Sequence, residues 1–368
     1  MHVAFDATCL LRTRTGVGVF AHELVTRWAR AEDVDLSAYA LSWRGREVLA
    51  DRVPPSVRVV RRPMAAQVLR PLWRRVDHPT IEAWTGRVDV VFGPNYLVPP
   101  TRQAAEVVTV HDLTCVRFPE LCVGDTLEYP AMITRAIGRG AWIHTVSEVV
   151  AEEIREHFPI DPARVVAVPN GVAPHVRTDP REGPRRAGAE RYVLGLGTVE
   201  PRKSFPLLVE AFDALAGRDL ALRLVIVGAD GWGSAALDQA IATARHGDRV
   251  IRLGYVDDLD RAAIVQGASV LAFPSVYEGF GLPPLEAMAA GTPVVSSSGG
   301  ALAETVGDAG LLVPPGDRDA LIDALRATLD DEALRARLVA RGHARAAAFP
   351  WDRTATGVLE LLRRVATA

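Results

Sequence analysis

SVYEGFGLPPLEAMAAGTPVVS, residues Ser275 to Ser296, is the stretch on which the reading of this chain turns. The short apolar run Val270 to Phe273 stops at Pro274, so Tyr277 to Leu282 are expected in the loop at the carboxyl end of a buried strand. Pro283 and Pro284 suit the first turn of a helix, where a missing N–H leaves no bond unmade, and Gly291 suits its end. Helix amides aimed at a loop containing Gly279 and Gly281 make a seat for a phosphate. Glu278 precedes that seat and Glu286 follows in the first helical turn, with seven residues between them. One carboxylate therefore reaches out from the loop and the other from the helix. Carboxylates accept hydrogen bonds from hydroxyls, which is what a ribose and a sugar need. The plainer reading is an ordinary strand, loop and helix in which Glu286 only favours the helix dipole. The joint placing of two glutamates, two glycines and two prolines argues against it.

Outward from this stretch, strands and helices keep alternating. Tyr192 to Leu196 reads as a strand, followed by the loop GTVEPRKSF and a helix from Ser204 to Ala216. Arg202 and Lys203 stand together before that helix. Two cations there would neutralise a diphosphate and stabilise charge developing on a leaving group, whereas a bare surface pair would merely be solvated. Leu222 to Gly228 is the next strand, GADGWGS a glycine-rich turn, and Arg249 to Leu253 leads into GYVDD. Leu311 to Pro315 reads as an edge strand, Asp317 to Ala348 as helical, and Trp351 to Val365 as a last amphipathic segment. The D-x-D spacings Asp33-Val-Asp35, Asp258-Leu-Asp260 and Asp317-Arg-Asp319 each read as a helix start or polar loop rather than a strand end. No divalent metal is expected.

The first half has the same rhythm. His2 to Ala7 is a strand, Thr8 to Thr15 a loop, and a helix begins near Gly16 and Gly18 with apolar residues at helical spacing. Gly16, Gly18 and Ala21 also fit the dinucleotide fingerprint G-x-G-x-x-A, but eight residues part the glycines from the strand, where the fingerprint wants a tight turn. Leu36 to Leu41 and Val57 to Val60 are further strands. The segment RRPMAAQVLRPLWRRV, 61–76, reads as a basic amphipathic helix that either lies on an anionic membrane or packs on the sheet. Val88 to Phe92 and Glu106 to Val110 are strands, and His111 follows the second. An imidazole at the carboxyl end of a central strand stands where ligands of α/β sheets bind. Asp112 beside it is expected to brace the loop. Ser147 reads as an N-cap, Asn170-Gly171 as a turn, and TDPREGPRRAGAER, 178–191, as a linker.

Composition bounds these readings. A chain of 368 residues, 49% of them hydrophobic, holds two substantial cores. A net charge of −3 gives no basis for a nucleic-acid partner. Cys9, Cys115 and Cys122 lack metal-ligand spacing and are expected as reduced thiols of a cytoplasmic protein. MHVAFDATCL does not read as a signal peptide, and no apolar run of about 18 residues suggests a spanning helix.

EGFGLPPLEAMAAGTPVV resembles the glutamate-seven-glutamate signature of retaining glycosyltransferases of family 4, and VHDL with EPRK resembles one mannosyltransferase-like branch of them. The resemblance covers essentially the whole chain. It implies the GT-B fold: two doubly wound, Rossmann-like α/β domains facing a central cleft, with 1–177 on the acceptor side, 178–191 as linker, 192–350 binding the nucleotide-sugar and 351–368 crossing back to the first domain. It further implies roles. Glu286 would bind ribose, and Arg202 with Lys203 the diphosphate. Glu278 and the segment Gly279, Phe280, Gly281 and Leu282 would hold the donor sugar. Gly197 and Thr198 would line the phosphates, and Gly254, Tyr255 and Val256 would meet the base. Gly16 and Gly18 would complete the phosphate site on closure, and His111 would lie against the sugar. Many members carry arginine directly after the loop glycine where this chain has Thr198, which shifts weight onto Arg202 and Lys203. No cofactor beyond the nucleotide-diphospho-sugar co-substrate is implied. The expected partners are that donor, with GDP-mannose mildly preferred, and a carbohydrate, lipid-linked or natural-product acceptor, with peripheral contact at the inner membrane face through 61–76. Alternatives are an epimerase or phosphorylase on the same scaffold, or a non-catalytic sugar-nucleotide-binding protein. A nicotinamide dehydrogenase would rest on the misplaced glycine fingerprint alone.

Overall fold

A computed structural model describes residues 1–11 and 15–367. Residues 12–14 of the loop expected over Thr8 to Thr15 lie outside the described residues. The chain forms two compact units: Met1–Gly171 together with the chain end from Trp351, and Val172–Pro350.

The first unit is built on His2–Asp6 (β1), Asp35–Tyr39 (β2), Arg58–Val59 (β3), Val90–Gly93 (β4), Ala105–Val110 (β5), Trp142–Thr145 (β6) and Val165–Ala167 (β7). They pair in the order β3-β2-β1-β4-β5-β6-β7, with parallel ladders throughout. Helices can cover both faces of such a sheet, so its central strands are apolar on both sides. All four residues of β4, VVFG, are buried. The helix Gly16–Trp28 starts where the sequence placed it. It packs Phe20 and Trp28 against Phe5 and Phe92, with Trp28 and Phe92 edge-to-face at 5.2 Å. The last helix, Trp351–Ala366, belongs to this unit. Trp28 Nε1 donates to Ala355 O at 2.8 Å, and Thr354 Oγ1 to Pro169 O at 2.7 Å.

The segment 61–76 is helical only over Ala66–Trp73. Leu69 and Trp73 pack inward while Val68, Leu72 and Val76 stay exposed. Arg70 and Arg74 are ion-paired with Asp125 and Glu128, which tempers the basic face. Among the described residues no helix is long and apolar enough to cross a membrane.

The second unit carries Arg191–Leu196 (β8), Leu222–Val227 (β9), Val250–Gly254 (β10), Val270–Phe273 (β11), Val294–Ser297 (β12) and Leu311–Val313 (β13). Their order is β10-β9-β8-β11-β12-β13, again all parallel. Chain order reverses direction between β8 and β11, and the loops that leave their carboxyl ends diverge there. That divergence opens the crevice in which doubly wound sheets bind ligands. Residues 178–191, expected as a linker, hold the helix Glu182–Ala187 and are part of this unit. The boundary falls at Gly171/Val172 rather than after residue 177. A Cβ on Gly183 would stand 2.5 Å from Ala263 O and 2.8 Å from Gly267 Cα. The glycine that reads as flexibility in sequence is what lets this helix lie directly against Asp258–Gly267.

Candidate active site

Two loops at the β8/β11 switch point carry the charged residues. After β8 the chain runs through Gly197 to a 3-10 turn, Pro201–Lys203, and then through Ser204, at φ 51°, into the helix Phe205–Ala216. After β11 it runs from Pro274 to Gly281, at φ 116°, which caps the helix Leu282–Ala290. The two prolines occupy the start of that helix and Gly291 its end, as the sequence indicated. The loops are tied together: Val276 N donates to Arg202 O at 2.8 Å and Arg202 Nη1 to Tyr277 O at 3.0 Å.

Glu278 stands between the two cations. Arg202 Nη1 lies 2.5 Å from its Oε2 and Lys203 Nζ 2.6 Å from its Oε1. A second carboxylate, Glu200, lies 3.4 Å from Arg202 Nη2, and Lys203 Nζ sits 4.6 Å above the Phe273 ring. The sequence reading gave Glu278 to a sugar and the basic pair to a diphosphate. In the structure the three hold one another. Burial by itself would raise the Glu278 carboxyl, but the Arg202 and Lys203 charges overrule it and hold it at about 2. Burial lowers the Lys203 ammonium, against the pull of Glu278, and raises Glu200. Glu278 is therefore a carboxylate at neutral pH that offsets one of the two positive charges.

The backbone of Glu278 is fixed at Gly300, a residue that was not singled out from sequence. Glu278 bridges Gly300 in parallel, and Ala301 N donates to Glu278 O at 2.8 Å. Gly300 has φ 62°, and a Cβ there would stand 2.3 Å from Glu278 O. Gly300→Ala is expected to destabilise the protein by about 2–3 kcal/mol, through strain at that φ and displacement of the Glu278 carbonyl. Chemical denaturation measures it, and a change within about 0.5 kcal/mol would show that the loop adapts freely.

Glu286 lies on the second turn of its helix, one turn later than the sequence reading had it, and is partly buried. Its Oε2 accepts a 2.6 Å bond from Nη1 of Arg261, on the helix Asp258–Gly267. Burial raises the Glu286 carboxyl and Arg261 opposes the rise. Arg261 was not singled out from sequence, because a partner 25 residues away leaves no local pattern. Phe280 is buried and packs edge-to-face on Phe349, so its amide rather than its ring is the group left to a ligand. Gly279 is buried, and Leu282 is partly buried at the helix start. Gly197 N donates to Val227 O, and Thr198 O accepts from Glu200 N. Gly254 O accepts from Gly228 N at 2.9 Å, leaving the exposed ring of Tyr255 and the backbone of Val256 at the end of β10. Aspartates of the D-x-D spacings serve other ends: Asp317 caps the helix Arg318–Asp330, Asp258 opens the helix Asp258–Gly267, Asp260 pairs with Arg186, and Asp33 pairs with Arg363.

In the first unit, Gly16 opens its helix and Gly18 is buried within the first turn. His111 follows β5. Its Nε2 donates to Pro94 O at 2.7 Å, which places the ring proton on Nε2 and leaves Nδ1 as an acceptor. Burial keeps this imidazole below its usual value, hence neutral. Phe20 packs edge-on to His111 at 5.2 Å and stacks on His144 at 5.6 Å. His144, fully buried, is held down to about 3 by burial. Neither Phe20 nor His144 was foreseen beside His111. Asp112 braces its loop as expected, its Oδ1 accepting from Thr114 N at 2.9 Å.

Two all-parallel α/β units in one chain define the GT-B class of glycosyltransferase fold. The crystal structure of Anabaena HepE in complex with UDP and glucose has it, superposing with a TM-score of 0.76 at 18% identity over 99% of this chain and 100% of that one. Residues 14–176 match the model of glycosyltransferase family 4 and residues 176–345 that of glycosyl transferases group 1. O-antigen chain mannosyltransferase B of Escherichia coli is 30% identical over 382 aligned positions, 97% of this chain and 98% of its own length. D-inositol 3-phosphate glycosyltransferase of Salinispora arenicola is 34% identical over 286 positions, covering 69% of this chain and 62% of that one. The chain belongs to the family 4, group 1 glycosyltransferases.

Proposed function

We propose that this glycosyltransferase moves a hexose from a nucleoside-diphospho-sugar, with GDP-mannose the preferred candidate, to an acceptor hydroxyl in bacterial polysaccharide, glycolipid or natural-product synthesis. Transfer retains configuration and needs no metal. The observation that carries the reading is the pairing of buried Lys203 and Arg202 around Glu278 at the switch point of a doubly wound sheet. Glu278 holds both cations, and Glu200 also touches Arg202, so the pair is fixed in place for a diphosphate that exchanges for these contacts. Mannose is favoured by the full-length relative that is named a mannosyltransferase.

On this reading Arg202 and Lys203 take the negative charge that grows on the departing diphosphate. The bond from the anomeric carbon to the diphosphate oxygen breaks while the acceptor oxygen bonds to the same face, and the acceptor proton passes to the departing phosphate oxygen. Glu286 accepts hydrogen bonds from the ribose, and the amides of Phe280 and Gly281 receive the sugar. The test is a calorimetric screen of GDP, UDP, dTDP and ADP and their sugar conjugates without added metal. One diphosphate should bind selectively, and its affinity should fall in Glu286→Ala. Failure of all four to bind would overturn the reading.

A further inference from the structure

A nucleotide-binding carboxylate is useful only if its oxygens are presented in one direction. Glu286 is a long side chain on a helix, and free in solution its three side-chain torsions sample many orientations. Here one oxygen is fastened: Oε2 accepts from Arg261 Nη1 at 2.6 Å, while Oε1 makes no hydrogen bond among the described residues. Arg261 is itself held. Its backbone is in the first turns of the helix that Asp257 caps, and its Nη2 lies 3.9 Å from Asp258 Oδ1. The neighbouring Asp260 is committed elsewhere, in an ion pair with Arg186. The guanidinium thus spans two helices, with one fork on the acidic helix start and the other on Glu286. Both side chains are partly open, Glu286 at 24% and Arg261 at 34%, so the pair borders solvent and a ligand can reach it.

We propose that Arg261 is a positioning residue for the donor's ribose: by fastening Oε2 of Glu286 it turns Oε1 toward a vicinal diol. This rests on the reading of Glu286 as the ribose acceptor. An exposed ion pair alone contributes little to stability, so the role predicts a larger effect on ligand binding than on folding.

The experiment measures binding of GDP and UDP, and of their 2′,3′-dideoxy counterparts, to the full chain and to Arg261→Met, Arg261→Lys and Glu286→Gln. For the tighter ribonucleotide, Arg261→Met should lose roughly tenfold in affinity, the worth of one hydrogen bond to a charged group. The dideoxy nucleotide should lose less than about twofold, since it has no diol for Glu286 to accept from. Arg261→Lys should recover part of the loss. Equal losses for both nucleotides, or no loss at all, would overturn the proposal. If Glu286→Gln separates ribo from dideoxy and Arg261→Met does not, Arg261 alone is misassigned. If Glu286→Gln fails to separate them, the ribose reading falls and takes this inference with it.

Discussion

Lys203→Ala is expected to lower turnover by roughly 10²-fold or more, the loss of about 2.7 kcal/mol of charge stabilisation in the transition state. The reasoning starts from burial. Lys203 is 9% exposed and its ammonium lies against Glu278 and the Phe273 ring, so its charge acts in a medium far less polar than water. A diphosphate gains negative charge as its bond to the sugar breaks, and a fixed cation already in place stabilises that gain without reorganising. Arg202 remains in the variant, so nucleotide binding should fall less than turnover. Single-turnover kinetics with calorimetry on the same preparation separates the two. Removing Lys203 also leaves Glu278 with one cation instead of two, and a lower melting temperature accompanies the loss. A variant that melts lower yet turns over at the parental rate would remove Lys203 from the chemistry.

Glu278→Gln is expected to act in the opposite sense on simple anions: pyrophosphate should bind roughly tenfold more tightly while turnover of the full donor collapses. The amide keeps the shape of the carboxylate but not its charge, so Lys203 meets an incoming diphosphate without a resident competitor and Arg202 with only the longer Glu200 contact. The same change leaves buried Lys203 without its carboxylate and Arg202 with Glu200 alone, which costs about 3–5 kcal/mol of stability in the ligand-free protein. Pyrophosphate should therefore raise the melting temperature of the variant by more than that of the parent. If Glu278 only held sugar hydroxyls, pyrophosphate affinity would stay at the parental value and only the sugar conjugate would bind more weakly. Acid stability gives a further check. The carboxyl is depressed from its ordinary 4.5 to about 2, so its stabilising contribution is complete above pH 4.5 and is lost as pH falls through about 2. That part of the parental acid sensitivity should be missing from the variant.

What was legible in the amino-acid sequence is what local chemistry encodes. Apolar runs ending at Pro274 and Leu196, paired prolines followed by a closing glycine, and helical spacing after Gly16 each depend on residues a few positions apart. The strands and helices that they announce are all present. The same local grammar set Glu278 and Glu286 on one loop and its helix, and Arg202 with Lys203 beside another. It misled at 178–191, because glycine, proline and charge serve equally for a flexible linker and for a helix packed backbone-to-backbone, as Gly183 is on Gly267. Long-range pairing had no such signature. Glu278 meets Arg202 and Lys203 only because strand order brings β8 beside β11, across 75 residues of chain between Lys203 and Glu278. Glu286 meets Arg261 only because two helices pack side by side, and Gly300 matters only because β12 ends against the Glu278 loop. The sequence by itself determined two α/β halves and the residue types of a phosphate and hydroxyl site. The tertiary structure alone decided which of those residues neutralise one another, since Coulomb interactions follow distance in space and the periodicity of a chain reports only distance along it.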